Sequence, residues 1–281
     1  MSWKDVLVFV ADAAADEPAI ALGETIAERF DSHMAATFLT PLPDEPLAYE
    51  PTVVAGVWAE LLGRARVQAD DERKKLEARV KQSARPVELR VTEALARDLG
   101  RVAAVHARYA DVAVLTRPAE GEVGELRDEI VEGVLFHAGR PALVAPPGWT
   151  REQGVGKRVM IAWDASREAT RAMADAAPLI DGADIVHVVT VDAKPKVFGH
   201  GEQPGANIAA HLQRRGKTVE VRNVDGAGRS VSAALCGAAR DIDADLIVMG
   251  GYASSRLREL VFGGATRDLL RIAQTPLLMA H

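Results

Sequence analysis

The chain has 281 residues, 48% hydrophobic and 26% charged, a globular composition whose length makes two domains the default expectation. A net charge of −6 and only 5% aromatic residues argue against general nucleic-acid binding and against an anionic membrane surface. No apolar run approaches the ~20 residues that span a bilayer.

The N-terminal stretch carries acids where a signal peptide needs a basic start and a cleavage site, so a soluble cytoplasmic protein is expected. Val6–Val10 reads as a buried strand ending at Ala11-Asp12. Helical sequence runs from Pro18, suited to a first turn, to Arg29, and Met34–Leu39 is a second strand. The proline-rich piece Pro41–Pro51 reads as a loop and Val57–Gln82 as a long amphipathic helix. Val87–Val91, Val112–Leu115 and Ala142–Ala145 are further strands, separated by helices over Arg97–Arg108 and Asp128–Ala138.

Pro146-Pro147-Gly148-Trp149, continuing to Gly154 and Gly156, is the best linker in the sequence, dividing a domain over 1–148 from one over 156–281. Beyond it the same order recurs. Strands are expected at Val159–Asp164, Ile185–Val191, Val219–Arg222, Leu246–Met249 and Leu277–Met279. Helices are expected at Glu168–Ile180, Ala206–Arg215, Ser230–Asp241 and from Ala265 to Ala273. The lone cysteine, Cys236, excludes an intramolecular disulfide and a multi-cysteine zinc site and is expected to pack as a small apolar residue.

The two halves form an internal repeat: Asp12 answers Asp164 at the end of each first strand, and Arg140-Pro141-Ala142 answers Thr275-Pro276-Leu277. Strands alternating with helices predict two parallel sheets, each covered on both faces. Ligands in such sheets bind beyond the carboxyl ends of the strands, where Asp164 and Gly250 fall. The last strands of the halves, Ala142–Ala145 and Leu277–Met279, are natural edges through which two chains could associate further as a homodimer. The stretch from Asp245 to Thr266 reads as strand, glycine turn (Gly250-Gly251), charged spacer, glycine pair (Gly263-Gly264) and helix start. Backbone N–H groups reached through glycines at a helix start suit a phosphate or another anion.

On these residues the half from Arg158 to His281 resembles a universal stress protein domain, and the whole chain resembles the tandem form of that family. The resemblance implies an α/β fold of two tandem doubly wound, parallel five-stranded, Rossmann-like sheets packed as a pseudo-dimer. It also implies a nucleotide signature of Gly, two residues, Gly, nine residues, Gly, then Ser or Thr. Here Gly250, Ala253, Gly263 and Gly264 fill the four places, so two depart: Ala253 crowds the phosphates, and Gly264 lacks a hydroxyl but keeps its N–H. Thr266 offers a hydroxyl two residues on. In the same resemblance Ala162-Trp163-Asp164 matches the strand end whose aspartate meets adenine and ribose, and Val188-Val189 matches the strand beside the base. The implied contact set is Ala162, Asp164, Val189, Met249, Gly250, Gly251, Ala253, Gly263, Gly264 and Thr266, and the implied ligand is ATP, or AMP or ADP, with a bridging magnesium as an option. In the first half the resemblance holds for topology only. The run Thr116 to Glu125 carries several acids where glycines and a hydroxyl belong, so no nucleotide is expected there.

Plainer readings stand beside these. Asp164 and Thr266 are also suitable helix caps, the glycines suitable turn formers, and Arg256 and Arg258 are as suited to a surface pair with Glu259 as to phosphates. The loop with Lys194, Lys196 and His200 is suited to fold over a nucleotide or to stay solvated, and the seven histidines lack metal-like spacing. Gly216-Lys217-Thr218 fails as a Walker motif because it precedes a strand, and no Gly-x-Gly-x-x-Gly follows either first strand. No catalytic constellation is found, so at most a slow ATPase is expected. The expected function is adenine-nucleotide binding in a stress or signalling protein with a protein partner; the alternative is a nucleotide-free interaction scaffold, which Ala253 favours.

Overall fold

The computed structural model describes residues 2–44, 51–118, 121–195, 200–251 and 264–281. Ala253 and Gly263, and with them Arg256, Arg258, Glu259 and Lys196, lie outside these residues. The first half runs β1 (Asp5–Val10), α1 (Glu17–Phe30), β2 (His33–Leu42), α2 (Pro51–Val80), β3 (Val87–Leu95), α3 (Leu99–Ala107), β4 (Val112–Thr116), α4 (Glu122–Gly133) and β5 (Ala142–Ala145). The second runs β6 (Arg158–Ala162), α5 (Arg167–Asp175), α6 (Ala177–Asp181), β7 (Ile185–Val191), α7 (Ala206–Arg214), β8 (Val219–Val224), α8 (Val231–Asp241), β9 (Leu246–Gly250), α9 (Gly264–Ile272) and β10 (Leu277–Ala280).

Among the described residues, the strands join into one ten-stranded sheet in the order β3-β2-β1-β4-β5-β10-β9-β6-β7-β8. Each half is a parallel five-stranded sheet with the switch in strand order beside its first strand, between β1 and β4 and between β6 and β9. The halves meet through their last strands, which are therefore paired within the chain and are not free edges for a second copy. β5 and β10 run antiparallel, with Leu277 opposite Val144 and Met279 opposite Ala142. The two sheets of the pseudo-dimer are therefore continuous.

The inner strands read as unbroken apolar runs because both of their faces are covered. Val6, Val8 and Val10 point to a core layer shared with Ile20 and Ile26 of α1, Met173 of α5 and Leu212 of α7. Leu7 and Phe9 point to the opposite layer, which holds Ile130 of α4, Leu235 of α8 and Leu269 of α9. Each layer contains residues of both halves, so the core is continuous across the join. The free outer edges, β3 and β8, carry charged pairs, Glu88 with Arg90 at 2.8 Å and Glu220 with Arg222 at 3.3 Å, which oppose further strand addition.

Several boundaries differ from the expectation: β2 ends at Leu42 and β3 at Leu95, past the expected Leu39 and Val91. α2 begins at Pro51 instead of Val57, and α4 begins at Glu122, six residues before the expected Asp128, behind Gly121 at φ 91°. The single helix expected over Glu168–Ile180 breaks at Ala176, since Pro178 near the start of α6 has no N–H to continue the ladder.

α2 is tied to α1 by charge. Arg79 forks onto Glu17, with Nε and Nη2 each 2.7 Å from a carboxylate oxygen, and onto Glu24 at 3.0 and 3.1 Å. Burial works against the ionisation of Glu24, but hydrogen bonds from Arg79 and Ser83, with the charges of Arg79 and Arg151, outweigh it and hold the carboxyl below its ordinary value of 4.5. A depressed carboxylate contributes stability that is present above its unfolded value and is lost as pH falls through the folded one. Thermal unfolding followed from pH 7 downward is therefore expected to lose stability below about pH 4.5. Arg79→Met is expected to cost about 1–3 kcal/mol at pH 7 and to lose less on acidification than the parent. Equal acid sensitivity in the two proteins would remove the pair from the account.

Candidate functional site

At the carboxyl ends of the second half, Ala162 of β6 stands in register with Val189 of β7 on one side and Met249 of β9 on the other. The three residues belong to the core layer beneath α8 and α9. After Ala162 the chain turns toward α5 on the opposite face of the sheet, while after β9 it leads to α9, so a crevice opens where the two paths part. The row Val189–Ala162–Met249 is its floor. Three of the expected contact residues are thus brought side by side.

Asp164 lies two residues past β6 and is exposed. Its Oδ1 accepts from the Ser166 N–H at 3.0 Å, a tight turn made possible by Ala165 at φ 61°. Ser166 is the N-cap of α5, its hydroxyl accepting from the Ala169 N–H at 3.0 Å. Asp164 therefore does not cap the helix itself. It braces the residue that does, with its carboxylate held at the surface.

Gly250 ends β9 opposite Ala280 of β10. A Cβ there would lie 2.5 Å from the Ala169 nitrogen and 2.6 Å from the Glu168 carbonyl carbon, so the glycine admits the first turn of α5. Its φ is not left-handed; the requirement is close approach. Gly251 is buried, its N–H donating to Ala280 at 2.8 Å while its carbonyl lies 3.0 Å from His281 Nδ1. The His281 ring meets Phe136 edge-on at 5.0 Å, so a residue of the first half reaches the glycine turn of the second. Gly264 is the first residue of α9. Thr266 lies within the first turn and is buried, which corrects its reading as an N-cap: the helix begins two residues earlier.

Sequence reasoning missed two residues here. Glu168 is 6% exposed and is paired with Arg167 at 2.8 Å, directly under Gly250. The other is His281, whose ring nitrogen approaches the Gly251 carbonyl. A charged residue in the first turn of α5 is a visible signal; the contact of His281 with Gly251, 30 positions away, is not.

The corresponding crevice of the first half contains its own side chains. Asp16, 1% exposed, accepts from the N–H groups of Ala11 and Asp12, the first residues after β1, at 2.8 and 3.0 Å. Arg127 of α4, 6% exposed, donates from Nε to the other Asp16 oxygen at 2.9 Å. Asp12 accepts from the Ala14 and Ala15 N–H groups and is occupied within its own turn. Among the described residues no group of three or more His, Cys, Asp or Glu is arranged for a metal, and no helix is long and apolar enough to cross a membrane.

Comparison with known proteins follows the same division. The sequence model of the universal stress protein family matches residues 156–281. No curated protein matches the chain significantly. Among solved structures, a universal stress protein from Archaeoglobus fulgidus DSM 4304 aligns over 98% of this chain and 95% of its own, at 15% identity and TM-score 0.62. A functionally unknown protein from Pseudomonas aeruginosa PAO1 aligns over 99% and 92%, at 13% identity and TM-score 0.53. A universal stress protein in complex with cAMP aligns over 44% of this chain and 97% of its own, at 23% identity and TM-score 0.33. Residues 156–281 thus match the universal stress protein family, and the fold over both halves is shared with a solved universal stress protein structure.

Proposed function

We propose that this stress-response protein binds an adenine nucleotide, ATP or one of its shorter relatives AMP and ADP, in the crevice of its second half and does not turn it over. The observation that carries the reading is the row Val189–Ala162–Met249 at the switch point, with the Asp164 carboxylate displayed at its edge. The residues suit such a ligand. The floor is apolar and small at Ala162, as a base requires, and Asp164 is placed to accept from ribose hydroxyls. The N–H groups at the start of α9, beginning at Gly264 and reached from the Gly250-Gly251 turn, would hold the phosphates, whose negative charge complements the helix start; the Gly251 N–H itself is given to Ala280. Ala253, Gly263 and any magnesium ion belong to the same reading.

Within it the first half has a structural role. The Asp16–Arg127 pair takes the space and polar groups of the first crevice, and β5 completes the sheet for β10. The bound and free states of the second crevice would differ at the cytoplasmic surface offered to a protein partner, with Phe136 and His281 linking that surface to the first half.

The test is to purify the protein under native conditions, denature it, and identify and quantify released nucleotide by mass spectrometry and absorbance. About one adenine nucleotide per chain is expected, and Asp164→Ala should lower the affinity at least ~tenfold, the scale of one lost charged hydrogen bond. Absence of released nucleotide, with no thermal shift in excess ATP and magnesium, overturns the reading and leaves an interaction scaffold.

A further inference from the structure

On the other face of the sheet, between α5 and α7, lies a cavity of about 360 Å³ that the nucleotide reading does not use. Its apolar wall is Trp163, Met173 and Ile208, which pack with the layer containing Ile161 and Val188, not with the layer of Ala162, Val189 and Met249. The apolar wall therefore lies on the opposite face of the sheet from the crevice floor, while Trp163 and Ala165 in the lining flank Asp164 at the crevice edge. The volume lies within the range of small-ligand sites, and such sites combine an apolar wall with a few convergent polar groups.

The polar groups of the lining can all donate hydrogen bonds, and Thr170, Gln203 and Asn207 can also accept them. His200 lines the cavity with a buried Nδ1 that meets no hydrogen-bond partner among the described residues. Asn207 and His211, four residues apart on α7, form the rim. The nine-residue helix α7 begins at this wall, and its N-cap, Gly205 at φ 83°, offers no side chain to its N–H groups. Among the described residues no carboxylate lines the cavity. Donors and the positive end of a helix converge on one rim, opposite an indole and two aliphatic side chains.

We infer that this cavity is a second ligand site, taking a small organic monoanion whose planar apolar body lies along Trp163, Met173 and Ile208 and whose carboxylate meets the start of α7 beside His200. The shape excludes an inorganic ion, which would leave the apolar wall wet, and the donor rim disfavours a wholly apolar guest, which would leave His200 unsatisfied.

The probe is 2-naphthoate, titrated calorimetrically against the full chain beside its neutral counterpart 2-naphthamide. The carboxylate is expected to bind once per chain and at least ~tenfold more tightly than the amide, because its hydrogen bonds are charge-assisted. Ile208→Trp fills the cavity from the wall and should abolish binding. Thr170→Trp fills it from the exposed side of α5, where a large residue costs little stability, and should reduce binding at least ~tenfold. Unchanged binding in a folded Thr170→Trp protein overturns the location. Equal binding of the two probes overturns the anion assignment, and no heat up to millimolar probe overturns the site.

Discussion

Replacing Asp16 by alanine is expected to destabilise the protein by about 3–5 kcal/mol, the cost of stranding a buried charge. Arg127 is 6% exposed and would lose its carboxylate partner. The N–H groups of Ala11 and Asp12 would lose their acceptor at the same time. The reverse substitution is not equivalent. Arg127→Met leaves Asp16 with two backbone donors, so its charge remains compensated, and the cost is expected to be smaller than for Asp16→Ala. The double variant Asp16→Leu, Arg127→Met removes both charges but still strands two N–H groups, and should fall between the parent and Asp16→Ala. Chemical denaturation of the four proteins measures the order. A cost for Arg127→Met equal to or above that of Asp16→Ala would contradict it.

This pair is also the part of the first half that the sequence concealed. Acids near Thr116–Glu125 were legible as a poor setting for phosphate, but the groups that occupy the crevice are 111 positions apart and meet only through the fold. The strands were legible for the opposite reason. Runs such as Val6–Val10 and Leu246–Met249 are apolar throughout because both faces are buried, and that signal is local. The pairing of β5 with β10 inside one chain was not legible, because an apolar edge strand does not say which partner it will meet. Two helix boundaries were missed although their signal is local. Val123, Leu126 and Ile130 fall at helical spacing ahead of and across Asp128, so the start of α4 was readable there, with Gly121 marking it. The break of the helix at Ala176 was readable from Pro178.

The same contrast applies to the second crevice. Its floor came from strand ends, and Ala162, Val189 and Met249 fall in register as expected. The role of Gly250 did not come from the glycine itself. Two readings were open, a turn that needs positive φ and a surface that admits a ligand, and the geometry adds a third, contact with the backbone of α5. The glycine thus joins the strand end to the helix that carries Asp164's turn, and a functional motif position has a packing requirement independent of any ligand.

Gly250→Ala separates these roles. The new Cβ would sit 2.5 Å from the Ala169 nitrogen and 2.6 Å from the Glu168 carbonyl carbon, both backbone atoms, and 2.8 Å from the Glu168 Cβ. None is the free end of a flexible side chain, so the first turn of α5 must move as a unit. That turn carries the Ser166 cap and, through it, the Asp164 turn. The expected cost is about 1–3 kcal/mol from overpacking, with no nucleotide present. In the proposed site, nucleotide affinity should also fall at least ~tenfold, since displacement of α5 moves the Asp164 carboxylate relative to the Val189–Ala162–Met249 floor. Gly251→Ala is the control: its nearest neighbours are the Met279 methyl at 3.3 Å and the Ala280 carbonyl oxygen at 3.6 Å, so its stability loss should be smaller. Denaturant unfolding of the two variants without ligand, followed by ATP titration under folded conditions, reads both effects. Full stability in Gly250→Ala would mean that α5 does not rest on this glycine, whereas lost stability with unchanged affinity would place the Asp164 turn outside the nucleotide site.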